Sequence, residues 1–397
     1  MKRIALLIND LAFGGAQRIF AELSVALANE GYDVHLFLMN DRDIAYAYGG
    51  TVHKISFYYK QNSPLMSILT LQHLILIRHF KKKLKIDISV SAMDFLNLYN
   101  LLSPCGDRII PSIHNYFLQY EMTPTLKDKL IERFFSKKVK KADSVVTVAK
   151  AIKKKAEGLY IDVPKEKIVS IYNASDIDLI KQKSKEDVSS DVLPFLGQKT
   201  FVNVVRLTEQ KALHNLIVAF SQLNKKYPDT KLILIGDGHL KEKLTELAQS
   251  LGVSESILFT GFTVNPFAIV SKCRSFVFSS YFEGFGNVLV EAMCCGVSVI
   301  SADCLCGPAE IINPSSNEPV TDVLMGEYGI LTPANDGKWS EKPNHSTKCL
   351  TRAMESVLKD DNLHRHYCEK SLERSDDFSG EKIYPQWFKL IEGGGLS

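Results

Sequence analysis

Short apolar runs alternate with longer helix-compatible stretches along almost the whole chain, and this alternation limits its possible folds more than any other feature. "RIALLI", "YDVHLFLM", "HKISFYY", "DISVSAM", "DRIIPSIH" and "DSVVTVA" read as strands. Between the first two lies "AQRIFAELSVALANEG", which puts Ile19, Phe20, Leu23 and Leu27 on one helical face and ends in Gly31. Near-continuous apolar strands with intervening helices predict a parallel sheet covered on both sides. From 174 to 199 the pattern lapses into the polar "ASDIDLIKQKSKEDVSSDVLPFLGQK". It then restarts with "FVNVV", "KLILIG", "SILFTG", "SFVFSS", "VSVIS" and "GILTP". A chain of 397 residues has room for two such sheets. The expected class is therefore α/β, two doubly wound Rossmann-like domains facing a central cleft, where strand ends from both sheets meet one ligand. The expected boundaries are an N-terminal domain over 1–175, a linker over 176–197, a C-terminal domain over 198–375, and a helix and tail over 376–397 crossing back to the first domain.

Composition removes several classes. Eight cysteines are scattered without the paired spacing of a zinc ribbon, so reduced thiols and residence in the cytoplasm are expected. The opening apolar run is only five residues long, which suits a first strand rather than a leader. Residues 1–170 carry 25 Lys and Arg against 16 Asp and Glu, a net +9; the remainder carries 23 against 29, a net −6. The excess gathers in "KKKLK" at 81–85, "KKVKK" at 137–141 and "KKK" at 153–155, with Phe134 and Phe135 just before the second cluster. Such a face suits an anionic membrane surface or a lipid diphosphate, although solvated lysines on ordinary helices explain it equally well. No nucleic-acid recognition motif accompanies the charge, so no nucleic-acid partner is expected.

The chemistry concentrates in loops that follow strands. "SSYFEGFGNVLVEAMCCG" sets Glu283 and Glu291 eight residues apart around Gly284 and Gly286, with Asn287 suited to cap the helix that follows. A helix N-terminus there offers N–H groups to an anion, and the carboxylates accept from hydroxyls. An anion joined to a polyol describes a nucleotide sugar. "VVRLTEQKALHN" places Arg206 and Lys211 where they could clamp a diphosphate, or simply form an exposed helix-start pair. Gly14 and Gly15 follow the first strand, either to admit a ligand or to make a tight turn. Gly236 in "IGDG" and Phe262 to Asn265 in "GFTVNP" are turn residues able to carry backbone to a flat base. His114 ends a strand, either facing a ligand or sitting as an ordinary core or surface histidine. Glu310 in "CGPAEI" is explained as well by helix capping.

In this order these motifs, with "YNASD" at 172–176, resemble the retaining glycosyltransferases of family four, which have the GT-B fold. The resemblance covers essentially the full length. It implies that Arg206 and Lys211 grip a donor diphosphate, helped by backbone N–H groups of Asn287, Val288 and Leu289 beside Gly286. Glu291 would hold the ribose and Glu283 the transferred sugar. Gly236 and the stretch Phe262 to Asn265 would border the base, which would be uracil. Gly14, Gly15 and His114 would border acceptor and sugar. It further implies a UDP-sugar donor, no bound divalent metal, and a lipid-linked or other saccharide acceptor at the inner face of the cytoplasmic membrane. Two departures stand out: family members usually have Gly where this chain has Val205 and Ala212. Those departures suggest one rival to transfer, a catalytically silent partner subunit; a UDP-sugar epimerase or hydrolase of the same fold is a second rival.

Overall fold

The computed structural model describes residues 1–12, 14–40, 43–55, 66–115, 126–316 and 318–395, with backbone alone at 66–70 and 126–128. The chain divides into two compact units, Met1–Ala174 with Glu381–Ser397, and Ser175–Gly380.

In the first unit the strands are β1 (Arg3–Ile8), β2 (Asp33–Leu38), β3 (Thr51–Lys54), β4 (Ile88–Ala92), β5 (Arg108–Ile113), β6 (Val145–Thr147) and β7 (Ile168–Ser170). They form one parallel sheet in the order β3-β2-β1-β4-β5-β6-β7. Ile4 of β1 lies opposite Val34 on one side and Ile88 on the other, which marks β1 and β4 as the central pair where the order reverses. The end of the "HKISFYY" run lies outside the described residues. β7 has no counterpart among the predicted strands.

The first unit is completed from the far end of the chain. Helix Gly380–Ile391 buries Ile383, Trp387, Leu390 and Ile391 in the core that contains Ile4, Leu6, Leu36 and Val90. Arg108 fixes the helix end, donating from Nη1 to the Ile391 carbonyl at 2.9 Å and from Nη2 to the Leu390 carbonyl at 3.2 Å.

The second unit contains β8 (Gly197–Val204), β9 (Lys231–Ile235), β10 (Ile257–Gly261), β11 (Cys273–Phe278), β12 (Ser298–Ala302), β13 (Leu324–Met325) and β14 (Ile330–Thr332). Their order is β10-β9-β8-β11-β12-β14-β13, parallel except for the short edge strand β13. Here β8 and β11 are the central pair. The stretch expected to link the domains belongs to this unit. Helix Ile177–Lys183 is capped by Asp176, which accepts from Leu179 N–H, and Asn265 Nδ2 donates to the Lys183 carbonyl at 2.9 Å. Ser271 Oγ donates to the Ser184 carbonyl at 2.8 Å. These polar bonds join the burial of Ile180 and Val192 in holding the stretch, whose mostly polar composition reads as a linker.

Candidate active site

In an open α/β sheet, ligands bind beyond the carboxyl ends of the strands where the strand order reverses. In the second unit that point is the pair β8 and β11. The loop after β8 carries Arg206 and Lys211; the loop after β11 carries Glu283 and leads into helix Asn287–Cys294. Topology alone therefore brings the two most informative motifs side by side.

The contact is direct. Lys211 Nζ lies 2.6 Å from Glu283 Oε1, and the two side chains are only 13% and 10% exposed. Three bonds fasten the loops beneath this pair. Tyr281 N–H donates to the Gln210 carbonyl at 2.8 Å, Gln210 Nε2 to the Phe282 carbonyl at 2.9 Å, and Ser279 Oγ to the Lys211 carbonyl at 3.0 Å. Asn335 Nδ2 in turn donates to the Ser279 carbonyl at 3.0 Å. Gln210, Ser279 and Asn335 escape sequence reading, since nothing in their spacing announces partners 56 to 72 residues away. Arg206 is exposed, and its guanidinium has no partner among the described residues.

Ala212 follows the lysine with φ 45° and ψ 38°, in the left-handed region. The turn thus keeps the geometry that glycine would take, at a cost of about 1–2 kcal/mol. Replacing Ala212 by glycine is expected to stabilise the chain by up to about 1 kcal/mol, the relief being partly offset by extra freedom of the unfolded chain; urea unfolding measures it. Val205 needs no such relief, because among the described residues the non-glycine positive φ values fall at Lys85, Met93 and Ala212.

Helix Asn287–Cys294 begins differently from the sequence expectation. Asn287 is its first residue rather than its cap; the residue before it, Gly286, has φ 98° and makes no side-chain cap. The sharp turn off β11 demands a positive φ there, which glycine adopts cheaply. Leu289 N–H donates to the Gly286 carbonyl at 2.9 Å, so that donor is already committed within the first turn of the helix. Glu291 is buried in the second turn of this helix. Gly307 packs against the same loop: a Cβ there would fall 1.7 Å from the Phe285 carbonyl oxygen. Glu310 lies in the short helix Pro308–Ile312 that follows.

Two expected base-lining residues also have scaffold contacts. Asn265 Nδ2 is spent on the Lys183 carbonyl and on Glu186 Oε2 at 2.7 Å. A Cβ on Gly236 would lie 2.0 Å from the Val205 carbonyl oxygen, so this glycine exists to let the arginine loop pass. Phe262 remains an exposed aromatic beside them. Burial pushes the Cys294 thiol up to about 12 and the Cys304 thiol further, so neither is a nucleophile at neutral pH.

In the first unit, Gly14 has extended backbone, φ 172°, and precedes helix Gly15–Asn29; it makes no tight turn that requires glycine. Its N–H donates to Tyr46 Oη at 3.1 Å. His114 Nε2 lies 2.9 Å from Ser112 Oγ, with the imidazole edge-on to Phe20. Burial lowers its pKa from 6.5 to about 4, so the ring is a neutral hydrogen-bonding group at pH 7 and not a cation for phosphate. Between those two values the unfolded chain binds the proton and the folded chain does not. Stability is therefore lost as pH falls from 6.5 to 4, by about 3 kcal/mol from this group. The variant His114→Asn should lack that part of the slope in unfolding measured across the interval.

Comparison with known proteins bears on the family and the fold. The model described as "Glycosyl transferases group 1" matches residues 184–374, and "Glycosyltransferase Family 4" matches residues 13–179. The chain is 34% identical over 359 residues to an uncharacterised glycosyltransferase of Methanocaldococcus jannaschii, covering 85% of this chain and 87% of that one. It is 29% identical, over 99% of its length and 100% of the relative's, to an N-acetylgalactosamine-N,N'-diacetylbacillosaminyl-diphospho-undecaprenol 4-alpha-N-acetylgalactosaminyltransferase of Campylobacter jejuni. The crystal structure of Anabaena HepE in complex with UDP shares the fold, with a TM-score of 0.73 at 19% identity over 99% of this chain and 100% of that one.

Proposed function

The chain belongs to the group 1, family-four glycosyltransferases, and from that premise we propose that it moves a hexose or N-acetylhexosamine from a UDP-sugar to a hydroxyl of a lipid-linked saccharide, retaining configuration at the anomeric carbon without a divalent metal. The observation that carries this reading is the Lys211–Glu283 contact at the carboxyl ends of β8 and β11, with Arg206 on the same loop as the lysine. It joins cations suited to a diphosphate with a carboxylate suited to sugar hydroxyls. UDP in the HepE structure and the diphospho-undecaprenol acceptor in the Campylobacter relative's name support donor and acceptor classes.

In this reading the bond from the anomeric carbon to the UDP oxygen breaks, and the acceptor oxygen bonds to the same face of that carbon. The acceptor proton passes to the departing phosphate oxygen. Arg206, Lys211 and the N–H groups of Asn287 and Val288 stabilise charge as it grows on UDP. Glu291 takes the ribose, and Glu283 orients the sugar as hydrogen-bond acceptor rather than as a glycosidase-type nucleophile. His114 contributes a neutral imidazole, with Gly14 and Gly15, on the acceptor side. A panel of UDP-sugars ranked by thermal stabilisation identifies the donor. Product NMR tests retention: the opposite anomer removes it, and activity lost in EDTA removes metal independence.

We also propose that the first unit docks on the anionic cytoplasmic face of the membrane. Among the described residues no helix is long and apolar enough to cross a bilayer. On helix Leu126–Lys138, Leu130 and Phe134 share a face with Arg133 and Lys137; Phe134 is 53% exposed. Ile161, 83% exposed, and Lys140 line a hollow of about 410 Å³ with Lys137. Exposed apolar groups among cations fit an anionic interface. The "KKKLK" run contributes less than its composition implies, because Lys81 is buried. Each lysine near such a surface is worth about 1 kcal/mol, so replacing Lys137, Lys138, Lys140 and Lys141 by glutamine should weaken binding to phosphatidylglycerol vesicles about a hundredfold or more. Unchanged sedimentation with vesicles removes the proposal.

A further inference from the structure

The Lys211–Glu283 pair sets a conflict within the proposed reaction. At 2.6 Å, and nearly withdrawn from water, the ammonium is already neutralised before a donor arrives. The backbones on either side are tied by Tyr281 to Gln210, Gln210 to Phe282 and Ser279 to Lys211. Parting of the loops therefore does not release the lysine; its flexible side chain must swing by itself.

We propose that Glu283 and the donor diphosphate compete for Lys211, and that this competition lets the site tell an intact UDP-sugar from its product UDP. The inference rests on the reading of the site as one for UDP-sugars. When the diphosphate takes Lys211, Glu283 is left as a nearly buried carboxylate without its cation, an unfavourable state. A sugar on the diphosphate offers hydroxyl donors to Glu283; UDP offers none. The sugar thus completes the exchange. Once it has moved to the acceptor, Glu283 reclaims Lys211 and UDP is expelled.

Calorimetric titration of the full chain with UDP tests this. Glu283→Gln should bind UDP about tenfold tighter than wild type, the equivalent of roughly 1.4 kcal/mol, because a neutral amide holds the ammonium weakly. Glu283→Asp, which keeps the charge but draws it back, should show a smaller gain. In the Lys211→Ala background the Glu283→Gln gain should vanish; a gain that persists means simple repulsion of the diphosphate and overturns the competition. Unchanged or weaker UDP binding by Glu283→Gln overturns it as well, leaving the UDP-sugar reading intact. Wild type should prefer the best UDP-sugar of the panel over UDP, and Glu283→Gln should narrow that preference; equal affinities in wild type overturn the inference. Failure of wild type to bind UDP at all removes the reading of the site itself.

Discussion

Lys211→Ala lowers turnover by about a hundredfold to a thousandfold, the effect typical of removing one preorganised group that stabilises charge in the transition state. Two features of this lysine argue for an effect of that size. It sits at the switch point between β8 and β11, and its backbone carbonyl is held by Ser279, so no neighbouring side chain can take its place without rebuilding the turn. The substitution also strands Glu283, only 10% exposed, without its cation. Some loss of stability therefore accompanies the loss of activity. The double variant Lys211→Met, Glu283→Gln separates the two. It should regain thermal stability relative to Lys211→Ala while transfer stays low. Steady-state turnover and melting measured on both variants check this, and near-wild-type turnover in either would remove Lys211 from the chemistry.

The largest stability effect is expected far from the site. Lys81 and Asp107 form an ion pair at 2.7 Å in which both side chains are fully buried. Lys81 Nζ also donates to Asn100 Oδ1 at 2.6 Å; Ser89 Oγ donates to Asp107 Oδ2 at 2.6 Å, and Cys105 N–H to Asp107 Oδ1 at 2.9 Å. Burial pushes the Lys81 pKa down while Asp107 holds it up, the balance expected of a cation kept charged by its partner. Lys81→Met leaves Asp107 as a buried carboxylate with no cation and should cost about 3–5 kcal/mol. Adding Asp107→Asn removes the stranded charge; its Oδ1 still accepts from Cys105 N–H while its Nδ2 replaces the oxygen that accepted from Ser89 and can donate to the Ser89 hydroxyl instead, so roughly half of the loss should return. Denaturant unfolding of the intact chain measures both.

These two pairs also show what sequence could and could not reveal. Both sheets were legible, because β1, β4, β8 and β11 each contain a short buried run and the stretches between them have helical faces. The residues of the site were legible as types at set spacings. Their partners were not: Lys211 and Glu283 are 72 positions apart, and only the adjacency of β8 and β11 brings them together. Lys81 sits in a basic run that reads as a solvated face, yet Asp107, one sheet layer away, draws it inside. The Asn287 cap was misplaced by one residue because the demand for positive φ at Gly286 comes from the turn off β11, not from the helix. The scaffold contacts of Asn265 and Gly236 do not show in the sequence, because turn chemistry looks the same whether a loop meets a ligand or its own neighbour.

The first unit borrows Ile383, Trp387, Leu390 and Ile391 from beyond the second. During translation, residues 1–174 must leave the ribosome with an apolar face uncovered and wait for some 200 further residues before their last helix emerges. The later-made half, continuous in the chain, is free to finish folding first. A nascent chain halted at residue 380 should therefore leave its early portion sensitive to protease, and the full-length product should close that gap in one late step.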